Sequence, residues 1–102
     1  MLNVDLTEMN KLETMLQQEG VRYERIDDEG EVIPWLAYRL GEFHQIKVVS
    51  EGWDVVCHHG SYGVEQGLLE AMGRRITGNN GVVGYLTAQD VMDMRGGGPA
   101  AR

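Results

Sequence analysis

The chain has 102 residues, 42% hydrophobic and 25% charged, with a formal net charge of −7. That is the size and composition of one small globular domain, with no room for a second. The nine Lys and Arg residues are scattered apart from Arg74-Arg75, so the acidity opposes direct binding to nucleic acid. No apolar run reaches the roughly 18 residues that a membrane span needs, and the single cysteine, Cys57, excludes an internal disulfide and fits a reducing compartment.

The N-terminal MLNVDLTEMNKLE lacks the charged lead and apolar stretch of a secretory signal, and a cytoplasmic location is expected. Asp5-Leu6-Thr7-Glu8 reads as an N-cap with its capping-box carboxylate, and Val4 is placed to staple onto Met9. Met9, Leu12, Met15 and Leu16 form one helical stripe, and Gly20 offers the left-handed stop, with Val21 set to touch Leu16. Residues 21–26 alternate as a strand. The following Asp27-Asp28-Glu29-Gly30 reads as a solvated turn, because the ligand spacing of a calcium loop is missing. Residues 31–42 read as an irregular connection that buries Trp35 or Leu36.

His44, Ile46 and Val48 alternate with Gln45, Lys47 and Val49, and Trp53–His58 follows after a short turn, which predicts a hairpin. A two-residue loop at Glu51-Gly52 puts Ile46, Val48, Trp53, Val55 and Cys57 on one apolar face and sets His44 opposite His59. A three-residue loop sets His44 opposite His58 instead. A helix is predicted over residues 64–72 from Val64, Leu68 and Met72. Thr87-Ala88-Gln89-Asp90 is a second capping box for a helix ending near Arg95. The expected architecture is α+β: an N-terminal helix, an antiparallel sheet of about three strands and two C-terminal helices. Residues 1–95 form a single domain, and 96–102 a disordered tail.

The chemistry-bearing residues concentrate in Cys57-His58-His59-Gly60-Ser61-Tyr62-Gly63. His44, Cys57 and His59 are the candidate metal ligands, but they match no recognised zinc spacing and lack a fourth partner, so neither metal nor cofactor is expected. Catalytic cysteine chemistry would need an oriented base, and none is identifiable. The stronger reading places an anion or nucleotide on free N–H groups where the glycine turn opens the helix, with His58, His59, Gly60, Ser61, Tyr62 and Gly63 as candidates. The bland alternative is that the glycines serve backbone angles and Ser61 caps the helix.

His44-Gln45-Ile46, Trp53–His58 leading into Gly60-Ser61-Tyr62-Gly63, Gly67-Leu68-Leu69-Glu70 and Gly84–Val91 together resemble a group of small, uncharacterised proteins from phages and prophages of gut bacteria. The resemblance covers most of the chain. It implies a genomic setting and transfers no activity, cofactor or catalytic residue. With the acidity and the missing catalytic constellation, it leads to the expectation of a non-enzymatic phage accessory protein that binds and modulates a host protein. Its sharpest form is an acidic, anti-CRISPR-like inhibitor docking on a basic nucleic-acid channel through Glu24, Asp27, Asp28, Glu29 and Glu31. An anion-binding module at Gly60–Gly63, or a Cys/His metal-binding or hydrolytic protein, is the alternative. Oligomeric state is open, with a dimer compatible with an edge strand.

Overall fold

A computed structural model describes residues 4–28, 31–33, 38–40 and 42–96. Helix α1 (Thr7–Gln18) starts where the sequence predicts, but by another device. The Asp5 carboxylate accepts the Thr7 N–H at 2.9 Å, while Glu8 turns away to accept the N–H of Ala88 at 2.8 Å. In place of a capping box, a first-turn carboxylate satisfies a free donor at the start of a distant helix. At the other end Gly20 takes φ 70° and the Val21 N–H reaches the Leu16 carbonyl at 2.9 Å, the left-handed stop that was expected.

The strands are β1 (Glu24–Asp28), β2 (Glu31–Ile33), β3 (Tyr38–Leu40), β4 (Phe43–Val48), β5 (Trp53–His58), β6 (Leu69–Met72) and β7 (Val82–Leu86). Five of them form one antiparallel sheet in the order β1-β4-β5-β6-β7, and β2 and β3 pair separately. The α+β class holds, with five strands in the sheet instead of about three. The predicted helix over 64–72 is absent: Gly67, at φ 71°, ends a single 3-10 turn at Val64–Gln66, and β6 follows. There Leu69 and Ala71 point inward while Glu70 and Met72 point outward, a period of two that spacing alone confuses with the stripe Val64-Leu68-Met72. The C-terminal helices are the single-turn α2 (Arg74–Thr77) and α3 (Ala88–Arg95), the latter carrying its capping box between Thr87 and Asp90 as predicted.

Neither expected hairpin register occurs. Val48 pairs with Trp53 across a four-residue loop, Val49–Gly52, in which a 3-10 turn ends on Gly52 at φ 73°. His44 therefore lies opposite Cys57, and Phe43 opposite His58. The pairing is shifted by two residues from the two-residue-loop register, His44 meeting Cys57 in place of His59, which leaves the faces unchanged, so the predicted apolar face stands.

Met9, Leu12 and Leu16 of α1 and Val91 of α3 are fully buried with Ile46, Val48, Val55, Cys57 and Leu69 of the sheet. The helices thus cover one face of the sheet, while along β4 and β5 the alternate residues are only half-buried. Arg95 secures the end of α3 by forked bonds to Glu51, both at 2.8 Å, and the Trp53 indole N–H donates to the same carboxylate at 2.8 Å. The Arg95 hydrogen bond is the main reason that the Glu51 carboxyl sits below its ordinary range; burial opposes it and the Trp53 bond adds to it. No described helix is long and apolar enough to cross a membrane. The expected burial of Trp35 or Leu36, Glu29, and residues 97–102 of the tail lie outside the described residues.

Candidate functional site

Two of the three histidines, His44 and His59, gather on a carboxylate that the sequence reading assigned no role. Glu42 and His44 share a face at the start of β4, and both are buried, 7% and 4% exposed. His44 Nε2 lies 3.0 Å from Glu42 Oε2, and His44 Nδ1 lies 2.8 Å from Asp27 Oδ1 on the neighbouring β1. For both contacts to be hydrogen bonds, two protons must lie between the ring and the two carboxylates. Glu42 also accepts the Val4 N–H at 3.3 Å, and His59 Nε2 approaches its other oxygen at 3.7 Å. The chain continues outward: Arg25 bonds Asp27 at 3.0 Å and Glu13 at 2.9 Å, and Glu13 accepts the Tyr23 hydroxyl at 2.7 Å. Burial works against the Asp27 carboxylate, but the His44 hydrogen bond and the Arg25 charge outweigh it and leave its pKa below the usual value. Asp27 was expected in a solvated turn. It stands in β1, tied to both Arg25 and His44.

This cluster joins α1, β1, β4 and the end of β5 through the bonds of His44, Asp27, Arg25 and Glu13. Both nitrogens of His44 already face carboxylates, and no described group of three or more His, Cys, Asp or Glu is disposed to hold a metal ion. Cys57 is fully buried, its Sγ near the carbonyls of Asp5 (3.8 Å) and Leu68 (3.9 Å). Burial first, then the negative charges of Asp5 and Glu42, push its thiol up to about 11. At pH 8 the thiolate fraction is then about 100-fold below that of an ordinary thiol. A thiol-specific alkylating reagent at that pH is expected to label native protein at least about 100-fold more slowly than denatured protein. Equal rates would make Cys57 accessible and reactive, contrary to this placement. The raised thiol pKa also fixes a sign: stability is unaffected below the unfolded value of 9.0 and declines as pH rises from there through the folded value.

The glycine turn is also closed on itself. Ser61 is buried; its hydroxyl accepts the His58 N–H at 3.0 Å and donates to the His58 carbonyl at 2.8 Å. The Ser61 N–H goes to the His58 carbonyl, the Val64 N–H to the Ser61 carbonyl, and the Tyr62 N–H to the Glu70 carboxylate at 2.8 Å. The premise of the anion reading, free donors at a helix start, is corrected twice: no helix begins here, and these donors have partners within the chain. Ser61 caps no helix, since the 3-10 turn begins at Gly63 without a side-chain cap. Gly60 and Gly63 do take positive φ, 100° and 96°. His58 stacks on Phe43 with ring centroids 5.4 Å apart and bonds the His59 carbonyl through Nδ1 at 2.9 Å.

What remains open is the other face of the sheet. Cross-strand register sets Ile26, Gln45, Val56 and Glu70 in one row and Glu24, Lys47, Asp54, Met72 and Val82 in the next, with Asp28, Phe43 and His58 in a third. Ile26 (38%), Met72 (47%) and Val82 (41%) are exposed, and no described helix covers them. Four carboxylates stand in these rows against one lysine. Of the acidic partner candidates, Glu24 and Asp28 share this face. Asp27 points the other way, Glu31 opens β2, and Glu29 lies outside the described residues. Of these, Met72 was missed because its signal is the polar–apolar alternation of β6, which was read as a helix, while Ile26 and Val82 join its face only through the pairing of β1 and β7.

The fold and site together define a two-layer α+β protein in which one acidic and partly apolar sheet face is covered by no described helix. Comparison of the chain with protein-family models, with curated proteins and with solved structures finds no match in any of the three.

Proposed function

We propose that the protein is a non-enzymatic phage or prophage accessory protein that binds and modulates a host protein, docking through the uncovered face of its sheet. The observation that carries this reading is the composition of that face. A solvated sheet face is ordinarily polar, and this one sets exposed Ile26, Met72 and Val82 among the carboxylates of Glu24, Asp28, Asp54 and Glu70. The histidine cluster supports it from the other side, because both ring nitrogens of His44 face carboxylates and Cys57 is fully buried with its thiol pKa pushed up. In its sharper form the protein is an acidic, anti-CRISPR-like inhibitor whose face enters a basic nucleic-acid channel. The carboxylates then accelerate encounter and set orientation.

The test is affinity purification from host lysate, followed by direct measurement on the captured protein. Raising ionic strength from about 0.1 M to about 1 M shortens the screening length from about 10 Å to about 3 Å. Affinity is expected to fall at least about tenfold, as steered acidic interfaces do. Asp54→Lys, placed on the face, is expected to weaken binding at low salt as well. An affinity indifferent to both changes overturns the reading.

A further inference from the structure

We infer that Tyr62 is the anchor of this surface and that it takes arginine side chains of the partner protein. The inference rests on the reading of the open sheet face as a docking surface. Tyr62 is 59% exposed, yet its backbone is held on three sides. Its N–H donates to Glu70 Oε1 at 2.8 Å, its carbonyl accepts the Tyr85 N–H at 3.2 Å, and its Cβ lies where a side chain on Gly84 would stand. Glu70 belongs to the open face, opposite Val56, so its bond to the Tyr62 N–H sets the turn at 60–63, which carries an exposed aromatic residue, over that face.

Tyr85, 58% exposed, is the only described non-glycine residue with positive φ, at 61°. It sits where the β6–β7 register slips by one residue between Leu69/Leu86 and Ala71/Val83. That bulge re-aims the strand and seats the tyrosine turn against it. An exposed aromatic residue on a fixed backbone gives contact area at low entropic cost, which is what a binding anchor requires.

The chemistry around Tyr62 selects arginine. A guanidinium stacks flat on a phenol ring and donates a fork of N–H groups to a carboxylate, whereas an ammonium does the first weakly and the second as a point charge. Val56 and Met72, on the same face as Glu70, offer apolar surface for the arginine stem. Glu24, Asp28 and Asp54 against Lys47 supply the complementary charge over the rest of the face. The occupant is therefore an arginine-presenting segment of a protein, and a lysine-rich one of equal charge fits less well.

Backbone-amide NMR titration with nona-arginine and nona-lysine peptides at equal ionic strength tests this. Nona-arginine is expected to shift Tyr62, Glu70, Met72 and Val82 and to bind about threefold or more tighter than nona-lysine. Tyr62→Phe keeps that preference, Tyr62→Ala brings the ratio to about one, and Glu70→Gln, which can still accept the Tyr62 N–H, weakens nona-arginine more than nona-lysine. Equal binding of the two peptides on this face overturns the arginine assignment and leaves the docking surface standing. Shifts confined to α1 and α3 overturn both. A preference that survives Tyr62→Ala in a variant with unchanged shifts elsewhere removes Tyr62 as anchor.

Discussion

Glu42→Ala is expected to cost about 3 kcal/mol, the upper end of the penalty for leaving buried hydrogen-bonding groups without their partner. The carboxylate is 7% exposed and gathers three groups: His44 at 3.0 Å, the Val4 N–H at 3.3 Å and His59 at 3.7 Å. Its loss leaves His44 Nε2 in a site with a 5% exposed side chain and loosens the attachment of Val4 to β4. In a domain of this size each kcal/mol moves Tm by roughly 4–8 °C, so a fall of more than about 12 °C is expected by thermal unfolding. Glu42 and His44 act as a unit, so the Glu42→Ala, His44→Ala double variant costs clearly less than the two single changes together. Replacing both by leucine recovers much of the loss, as apolar pairs do in place of buried hydrogen-bonded ones. A single-variant cost under about 1 kcal/mol, within the range of exposed pairs, would show that water already reaches the pair.

The residues of this cluster were visible in the sequence, but their association was not. His44, His59 and Asp27 were singled out for separate roles, in a metal set and an acidic surface. What joins them is Glu42, at the end of a stretch without clear periodicity, and a register fixed by a four-residue loop. The turn Ser50-Glu51-Gly52 suits a loop of two, three or four residues, and only the Gly52 αL ending with the preceding 3-10 turn selects the last. Helix ends were easier because their signals are local: Gly20 and the Thr87–Asp90 box each satisfy backbone groups within one turn. The expected box at α1 failed for a long-range reason, since Glu8 has a partner eighty residues away in Ala88. Strand β6 failed because four residues are too short for periodicity to separate strand from helix, and its strand character comes from pairing with β5 and β7.

Gly84→Ala carries the second large effect and links the fold to the proposed surface. A methyl group built at Gly84 overlaps the Cβ of Tyr62 and comes within 3.0 Å of the Tyr62 carbonyl oxygen, so the turn at 60–63 and strand β7 cannot both keep their places. Overpacking of this kind costs about 1–3 kcal/mol. Here the upper end is expected, because the contact is with backbone and Cβ and no flexible side-chain end can yield. Tyr62 and Tyr85 are coupled through the 3.2 Å hydrogen bond, so a displaced turn also loses its hold on the bulge. Denaturant unfolding should show a lower midpoint with an unchanged slope, and the preference for arginine over lysine peptides should shrink with it. Tyr62→Gly in the same chain removes the Cβ that the new methyl meets and is expected to restore part of the stability while leaving the preference absent. That separation distinguishes the two roles of the position: Gly84 admits the turn, and the ring of Tyr62 selects what binds there. Wild-type stability in Gly84→Ala would mean that the turn lies off the sheet, and the anchor would then lose its rigid base.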